Sequence, residues 1–190
     1  PKNQPKLGHV HVVGSGVMGG DIALWSAHKG LKVTVQDLKP EACESMVKRI
    51  RTFALKRYRN KPDRDRFLDR IVVDIQGHGL SQCDLVIEAV SENLELKRKI
   101  LKDIEQKVGP KTIIATNTST LPLENIDDIF KKPGRFIGVH FFNPVPKMPL
   151  VEIVVGQKTT QETVASCLRY VGQIDKFPLK VKSAPGFLVN

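Results

Sequence analysis

The chain has 190 residues, of which 41% are hydrophobic, and this is enough to bury a substantial core. No apolar run approaches the roughly 18 residues of a membrane helix, so no membrane span is expected. The three cysteines are odd in number and lack C-x-x-C spacing, which argues against a disulfide framework and a zinc site and favours a reducing compartment. We expect no metal site. The net charge of +10 favours anionic ligands or surfaces, or solvated helix faces.

The stretch from His9 to Asp37 predicts a strand, a glycine turn, a helix and a second strand. Its apolar run, with Val10, Val12 and Val13, is typical of a buried strand in a parallel sheet. The run leads into a G-x-G-x-x-G motif, Gly14-Ser15-Gly16-Val17-Met18-Gly19. The three glycines of such a motif allow a tight turn, the approach of a pyrophosphate to the backbone, and close packing of the helix on the strand.

Asp37 ends the second predicted strand, 21 positions after Gly16. At this spacing a carboxylate can accept a hydrogen bond from a ribose 2′-hydroxyl. The same carboxylate would repel a 2′-phosphate, which favours NAD over NADP. The motif and the acid together predict an NAD site, and a purely structural glycine turn is the alternative.

The segment after Asp37 predicts two helices. Apolar residues recur at helical spacing from Pro40 to about residue 59, and a shorter helix follows to Leu68. Because this insertion is longer than an ordinary crossover, we expect a helical hairpin that protrudes from the sheet. Eleven Lys or Arg against five Asp or Glu make residues 39–70 basic. A solvated helix face or a polyphosphorylated ligand would explain this charge, and no nucleic-acid motif accompanies it.

Strands and helices alternate in the rest of the chain. Strands are predicted at 71–73, 84–90, 112–115, 136–140, 151–155 and 177–181, and helices at 94–107 and 160–170. This pattern predicts a Rossmann-type, doubly wound α/β domain with a mainly parallel sheet. The ligand crevice of that fold lies beside the first and fourth strands. We therefore expect residues 89–93 to line it, with Val90, Ser91 and Glu92 along the path of the cofactor.

His140 ends the sixth predicted strand on the ligand side, and Glu152 lies in the next strand across a proline-rich turn. Neighbouring strand ends can bring imidazole and carboxylate into contact, which orients the ring and leaves its other nitrogen to take a proton. A base opposite a nicotinamide is what alcohol oxidation requires. A core histidine and a surface glutamate are the alternative. Ser119, after the fifth strand, is either a ligand contact or a cap. The remaining histidines are interpreted as structural: His9, His11, His28 and His78.

Five blocks of sequence resemble the L-3-hydroxyacyl-CoA dehydrogenase family. In chain order they are HVVGSGVMGGDIA, VIEAVSENLELK, ATNTSTLPL, HFFNPVPKMPLVEIV and PGFLVN. They span nearly the whole chain, and HFFNPVP with the later acid is the most specific. The polar start and the GGDIALW helix are most similar to the dehydrogenase part of bacterial fatty-acid oxidation multienzymes. A related β-hydroxyacid dehydrogenase, whose family uses a catalytic lysine, is disfavoured by HFFNPVP and Glu152.

The resemblance implies NAD-dependent oxidation of a (3S)-3-hydroxyacyl-CoA to the 3-oxoacyl-CoA in fatty-acid β-oxidation. It implies that His140 is the catalytic base and that Glu152 is its acidic partner. Ser119 and Asn190 match the polar residues that hold the substrate oxygen and the histidine region.

Further positions match cofactor or substrate contacts of the family. Asp37 matches the acid on the adenine ribose, and Glu92 and Lys97 match cofactor contacts. Asn143 matches a residue near nicotinamide and substrate. Some basic residues of the hairpin are expected to contact the CoA nucleotide, with Lys56, Arg57 and Arg59 as the candidates.

The resemblance also predicts the domain organisation. Residues 1–8 are expected to be a linker and residues 9–190 the NAD-binding domain of a longer enzyme, with a helical C-terminal domain after PGFLVN. A hydratase/isomerase domain before it and association with a thiolase are expected.

The polar start does not indicate a signal peptide. We expect a cytoplasmic protein if the source is bacterial, and a mitochondrial or peroxisomal one if it is eukaryotic. The alternative to an enzyme domain that oxidises 3-hydroxyacyl-CoA is an NAD-binding module that has no turnover of its own.

Overall fold

The structure is a computed structural model that describes residues 6–187. Within these residues, the strands are β1 (His9–Val13), β2 (Lys32–Gln36), β3 (Ile71–Val73), β4 (Leu85–Glu88), β5 (Ile113–Thr116), β6 (Phe136–Phe141), β7 (Leu150–Val155) and β8 (Phe177–Lys182). They form one sheet in the order β3-β2-β1-β4-β5-β6-β7-β8. β1 to β6 are parallel, β7 is antiparallel to β6, and β8 is parallel to β7.

The helices of the same residues are α1 (Val17–His28), α2 (Pro40–Arg57), α3 (Lys61–Leu68), α4 (Leu94–Lys107) and α5 (Gln161–Gln173). Side chains at three N-caps each accept a hydrogen bond from the first turn: Asn60, Asn93 and Thr160. Short 3₁₀ turns cover 78–81, 123–125, 127–129 and 133–135. Three- and four-residue turns carry no hydrophobic period, which is why they were not predicted. Over residues 6–187, no helix combines the length and apolarity needed to span a bilayer.

The predicted Rossmann-type α/β fold is confirmed, and the order of the strands locates its crevice. The chain first builds outwards from β1 to β3 and then returns to place β4 on the other side of β1. The loops that follow β1 and β4 therefore diverge at the carboxyl edge of the sheet and leave a cleft between them.

Alternation along the strands gives the sheet two buried faces. Val10 and Val12 of β1 pack in one cluster, with apolar residues of α1, α2 and α5. Val13 packs in the other cluster, with residues of α4 and the 3₁₀ turns after β5. Because both faces of the central strands are covered, β1, β4, β5 and β6 are fully buried and largely apolar, and polar residues in them stand out.

The sequence predicted that the hairpin of α2 and α3 protrudes from the sheet. In the structure, the hairpin instead packs against the domain. Met46 and Ile50 are buried in the same cluster as α1. Phe67 of α3 contacts the Tyr58 ring, with 5.3 Å between centroids, and the Tyr58 hydroxyl lies 2.7 Å from His28 Nδ1. Helical spacing reveals an apolar face but not the surface on which that face packs.

Candidate active site

The glycine turn between β1 and α1 is built around close backbone contacts. Gly14 has φ +104°, and a Cβ there would lie 2.7 Å from the carbonyl oxygen of Ala89. A Cβ at Gly19 would lie 1.9 Å from the carbonyl oxygen of Gly14. A Cβ at Gly16, by contrast, meets no atom within 4 Å. Gly14 and Gly19 are therefore required by the fold, whereas Gly16 leaves open space at the N-terminus of α1, where a phosphate group can approach.

Asp37 follows β2 and is bound to the glycine turn. Its Oδ2 accepts hydrogen bonds from Ser15 N at 2.6 Å and Ser15 Oγ at 2.8 Å, and its Oδ1 accepts one from Lys39 N at 2.9 Å. Burial opposes ionisation, but these hydrogen bonds outweigh it and lower the pKa of Asp37 below its usual value. The residue is therefore a fixed anion beside the turn, as a ribose-binding acid must be.

His140 and Glu152 are directly opposed across β6 and β7. They are register partners in the antiparallel ladder, and His140 Nδ1 lies 2.8 Å from Glu152 Oε2. Glu152 is fully buried, so it is not a surface glutamate. The rings of Phe142 and Phe187 flank the imidazole, with centroids at 4.6 and 5.7 Å. Because Glu152 engages Nδ1, proton exchange with the adjoining pocket has to use Nε2.

A pocket of about 350 Å³ lies at the carboxyl edge, between the glycine turn and the end of β6. It brings together six residues that the sequence predicted at a ligand site. Of its other four residues, Ala89 lies in the predicted 89–93 stretch and Asn117 follows the fifth predicted strand on the ligand side, whereas Phe141 and Phe142 were not predicted. Asn117 braces the pocket, because its Oδ1 accepts a hydrogen bond from Phe141 N at 2.9 Å. The predicted residues are Met18, Val90, Glu92, Ser119, His140 and Asn143.

A buried ion pair lies behind the pocket. Lys97 Nζ is 2.8 Å from Glu88 Oε1, and both side chains are essentially inaccessible, at 1% and 0% exposure. Glu88 also accepts hydrogen bonds from Thr116 Oγ1 at 2.7 Å and Val90 N at 2.8 Å. Lys97 is not among the pocket-lining residues. Its ammonium contacts Glu88, the Val90 carbonyl and, at 3.6 Å, Glu92, so it fixes the loop after β4, and its contact with the cofactor stays a prediction.

Sequence reasoning missed Glu88 and Thr116. The available signal was an acid at the end of an otherwise apolar strand, since such an acid must find a buried partner.

Glu92 connects the loop after β4 to the loop after β5. Its Oε1 accepts hydrogen bonds from Ser119 N and Thr120 N, each at 3.1 Å, and from the hydroxyls of Thr118 and Thr120. Burial raises the pKa of Glu92, but the Thr118 hydrogen bond and the nearby Lys97 charge have the larger combined effect and lower it. The side chain therefore fixes the Ser119 loop as an anion and also lines the pocket.

The remaining predicted site residues lie away from the pocket. Val17 and Ser91 are exposed near its rim. Lys56 lines a separate groove between α1 and α2, and Arg57 is exposed at the end of α2. The basic residue of α2 that does contact the glycine turn is Arg49, whose Nη2 donates to Gly16 O at 2.9 Å. Asn190 lies outside the described residues.

The fold and this edge define a class of protein. A doubly wound sheet, a glycine turn with open space at a helix N-terminus, an ionised acid after β2 and a buried His–Glu pair beside one pocket are the parts of an NAD-dependent dehydrogenase, an oxidoreductase.

Comparison with known proteins identifies the family. Residues 9–184 match the family model described as 3-hydroxyacyl-CoA dehydrogenase, NAD binding domain. The chain therefore belongs to this family, and NAD is its cofactor.

Solved structures agree with the assignment. The chain is 38% identical to (S)-3-hydroxybutyryl-CoA dehydrogenase PaaH1 from Ralstonia eutropha, with a TM-score of 0.92 over 97% of this chain and 67% of that one. It is 35% identical to 3-hydroxybutyryl-CoA dehydrogenase from Escherichia coli K12, with a TM-score of 0.91 over 97% of this chain and 40% of that one. It is 32% identical to M. tuberculosis FadB2, with a TM-score of 0.90 over 98% and 67%. The chain thus spans between 40% and 67% of the length of these three relatives.

Proposed function

We propose that this chain is the cofactor-binding and catalytic-base domain of a longer enzyme that oxidises (3S)-3-hydroxyacyl-CoA to 3-oxoacyl-CoA with NAD. The observation that carries the proposal is the hydrogen bond between His140 and Glu152 at the wall of a pocket that reaches Met18 of the glycine turn. A proton acceptor and a cofactor site that share one cavity are the minimum requirement for alcohol oxidation.

The residues at the carboxyl edge fit NAD. Gly16 leaves the space that a pyrophosphate needs at the N-terminus of α1, and the first-turn N–H groups of that helix are oriented towards it. Asp37 supplies an ionised acceptor for a ribose hydroxyl. Met18, Val90 and Asn143 line the pocket where the nicotinamide end would lie. Bound NAD accepts a hydride from the alcohol carbon.

In the proposed mechanism, His140 removes the proton of the substrate hydroxyl at Nε2 as the C–H bond releases its hydride. Glu152 holds the Nδ1–H tautomer, so that Nε2 carries the lone pair, and it stabilises the imidazolium that forms. We assign Ser119 and Asn143, which both line the pocket, to contacts with the substrate and the cofactor. The role of Asn190 follows from the family resemblance alone.

The acyl-CoA part of the substrate suggests a use for the basic hairpin. CoA carries a pyrophosphate and a 3′-phosphate, and we propose that Lys56 and Arg57 contribute to their attraction, because both side chains are exposed on α2. We further propose a role in fatty-acid β-oxidation, within a multienzyme that carries a hydratase/isomerase domain and associates with a thiolase. The resemblance of the GGDIALW helix supports this context. A cytoplasmic location in a bacterial source, or a mitochondrial or peroxisomal one in a eukaryotic source, accompanies it.

The proposal is tested in the full-length protein by following NADH consumption with acetoacetyl-CoA, in comparison with small hydroxyacids assayed in the oxidative direction. His140→Gln should lower turnover by roughly two to four orders of magnitude, the usual effect of losing a general base. His78→Gln, at an exposed histidine, is the matched control and should leave turnover unchanged. Equal activity on small hydroxyacids, or an active His140→Gln variant, would contradict the proposal.

Cofactor choice is tested separately by fluorescence titration with NADH and NADPH. Asp37→Ala should weaken NADH binding and narrow the difference from NADPH, because it removes both the ribose acceptor and the charge that repels a 2′-phosphate. Equal affinity of the unmodified protein for the two cofactors would contradict the assignment.

A further inference from the structure

Lys176, between α5 and β8, is a buried cation that is not among the predicted site residues. The residue is 5% exposed. Its Nζ donates to the carbonyl oxygens of Val145 at 2.6 Å and Met148 at 2.7 Å, and it lies 4.4 Å from the centre of the Trp25 ring. Burial lowers its pKa, and repulsion from Lys29 lowers it further.

No carboxylate within residues 6–187 forms an ion pair with Lys176. The eleven ion pairs in this range do not include it, and Asp175 next to it pairs with Lys29. The ammonium is therefore held by two backbone carbonyls and an aromatic face. A buried cation is costly to retain, so its position points to a requirement for its three N–H donors.

The requirement lies in the turn that links β6 to β7. Residues 142–149 contain three prolines, which supply no backbone N–H. The amides of Lys147 and Met148 both bond to the Pro144 carbonyl. The carbonyls of Val145 and Met148 receive their hydrogen bonds from Lys176. An apolar side chain at position 176 would leave two inward-facing carbonyls without these donors.

This turn carries part of the pocket wall. Phe142 and Asn143 line the pocket at its start, and the strands that it joins carry His140 and Glu152. On the basis of the function proposed above, we infer that Lys176 is a positioning residue, which fixes the 142–149 turn and thereby sets Asn143 and Phe142 against the bound substrate. It touches neither substrate nor cofactor and acts through the turn alone.

The experiment compares Lys176→Met with Lys176→Arg, which keeps the charge and several N–H donors. Lys180→Met, at an exposed position on β8, is the control. In the full-length protein, Lys176→Met should lower kcat for acetoacetyl-CoA reduction about tenfold or more. The NADH Kd should stay within about twofold, because the contact of Lys176 with α1 is at Trp25, well beyond the glycine turn. Lys176→Arg should recover most of the kcat, and Lys180→Met should match the unmodified protein.

Amide hydrogen exchange provides a readout that does not need turnover. Exchange in residues 141–149 should accelerate about tenfold or more in Lys176→Met, with residues 9–20 unchanged, because only the turn loses its donors. Unchanged exchange in 141–149 overturns the inference whatever the activity. The two proposals can fail separately. If exchange in 141–149 is faster in Lys176→Met but the unmodified protein does not reduce acetoacetyl-CoA, Lys176 fixes the turn and the proposed function is wrong.

If Lys176→Met does not fold, Lys176→Gln receives the same measurements, since its amide retains two N–H donors without the charge. The Lys176→Gln variant should lie between Lys176→Met and Lys176→Arg in kcat and in the rate of amide exchange of residues 141–149. A loss of kcat accompanied by an equal loss of NADH affinity, with no recovery in the Arg variant, would assign Lys176 to general stability and overturn the positioning role.

Discussion

Two regions of the sheet place polar side chains in its interior but give them different partners. They are the carboxyl edge, which borders the pocket, and the part of β1 and β2 around His9, His11 and Thr34, here called the amino half. At the edge, buried Glu88 pairs with Lys97, buried His140 pairs with Glu152, and the half-buried Asp37 is a fixed anion. In the amino half, His9 and His11 of β1 share a single neutral hydroxyl, that of Thr34 on β2, at 2.9 and 2.7 Å.

Proton counting explains how the amino half remains neutral. The Thr34 hydroxyl has one hydrogen, so it donates to one histidine and accepts from the other. Asp74 Oδ2 lies 3.9 Å from His11 Nδ1, which favours the proton on that nitrogen. His11 then donates to Thr34, and Thr34 donates to His9 Nε2. Neither ring needs a positive charge.

The two regions show that a buried histidine depends on its partner for its chemistry. Glu152 provides a carboxylate that can stabilise an imidazolium, and His140 adjoins a pocket from which a proton can arrive. His9 and His11 have a hydroxyl partner, and His11 has no exposed surface at all. Residue type alone does not separate the two cases, and the predictions below test the distinction, from the largest expected effect to the smallest.

The largest effect is expected from Glu152→Gln, which leaves His140 in place but removes its anionic partner. Turnover in the full-length protein should fall by about two orders of magnitude or more, because the glutamine amide can donate to Nδ1 and so hold the wrong tautomer. Steady-state kinetics measure the loss, and NADH titration should show an unchanged cofactor site. Glu162→Gln, at an exposed acid on α5, is the matched control. Turnover close to that of the control would mean that the edge pair is structural, like the histidines of the amino half.

The second test removes the cation of the other edge pair. Lys97→Met leaves Glu88 as an unpaired, fully buried carboxylate, and the free energy of unfolding should fall by about 3–5 kcal/mol. Urea unfolding measures the change, with the exposed Lys99→Met on the same helix as control. A loss equal to that of Lys99→Met would show that the pair does not stabilise the edge.

The third test concerns the amino half and uses pH. Burial lowers the pKa of His11 from 6.5 to about 4, and Asp74 opposes only part of this shift. In the unfolded chain the histidine takes up a proton below about pH 6.5, while the folded protein excludes it until about pH 4. Stability should therefore be lost as the pH falls through this window, by about 2–3 kcal/mol at about pH 4.5.

His11→Gln removes that titration and should reduce the loss in stability between about pH 7 and about pH 4.5, measured by urea unfolding at both values. The lowered pKa of His9 leaves a residual dependence. His78→Gln, at an exposed position, should retain the full loss. If the two variants respond equally to acid, His11 is not excluded from protonation and the contrast between the regions fails.

The fold and part of the candidate site could be predicted from the sequence, because they depend on local patterns. The glycine motif and Asp37 act through short spacings in one βαβ unit, so local pattern was enough to predict the fold and the NAD site. His140 and Glu152 could be paired because each lies at the edge end of its own strand. The catalytic role of this pair remains a prediction, as do the roles of Ser119 and Asn143.

What the sequence could not supply depends on register and on distant contacts. Thr34 serves two histidines only because β1 and β2 pair with His11 opposite Thr34. The family resemblance gave Lys97 as a cofactor contact, and only the packing of α4 on the sheet reveals that its ammonium reaches Glu88. Lys176 lies about 30 residues from the carbonyls it holds, with a helix and a strand between them.

The smallest effect is expected outside both regions, on the basic hairpin, where the charges are exposed. We expect Lys56→Glu with Arg57→Glu to raise KM for an acyl-CoA by only about two- to fivefold at low ionic strength, because single exposed charges interact weakly. About 0.5 M salt should remove most of the effect, since exposed charges are screened beyond a few ångströms. KM for NAD should not change.

The decisive comparison is a pantetheine-truncated thioester, which lacks the nucleotide phosphates. If the truncated and complete substrates lose efficiency equally, the hairpin is a solvated face and the CoA nucleotide is bound elsewhere. If only the complete substrate is affected, the basic surface of α2 contributes to binding of the nucleotide, even though it lies away from the buried pairs of the pocket.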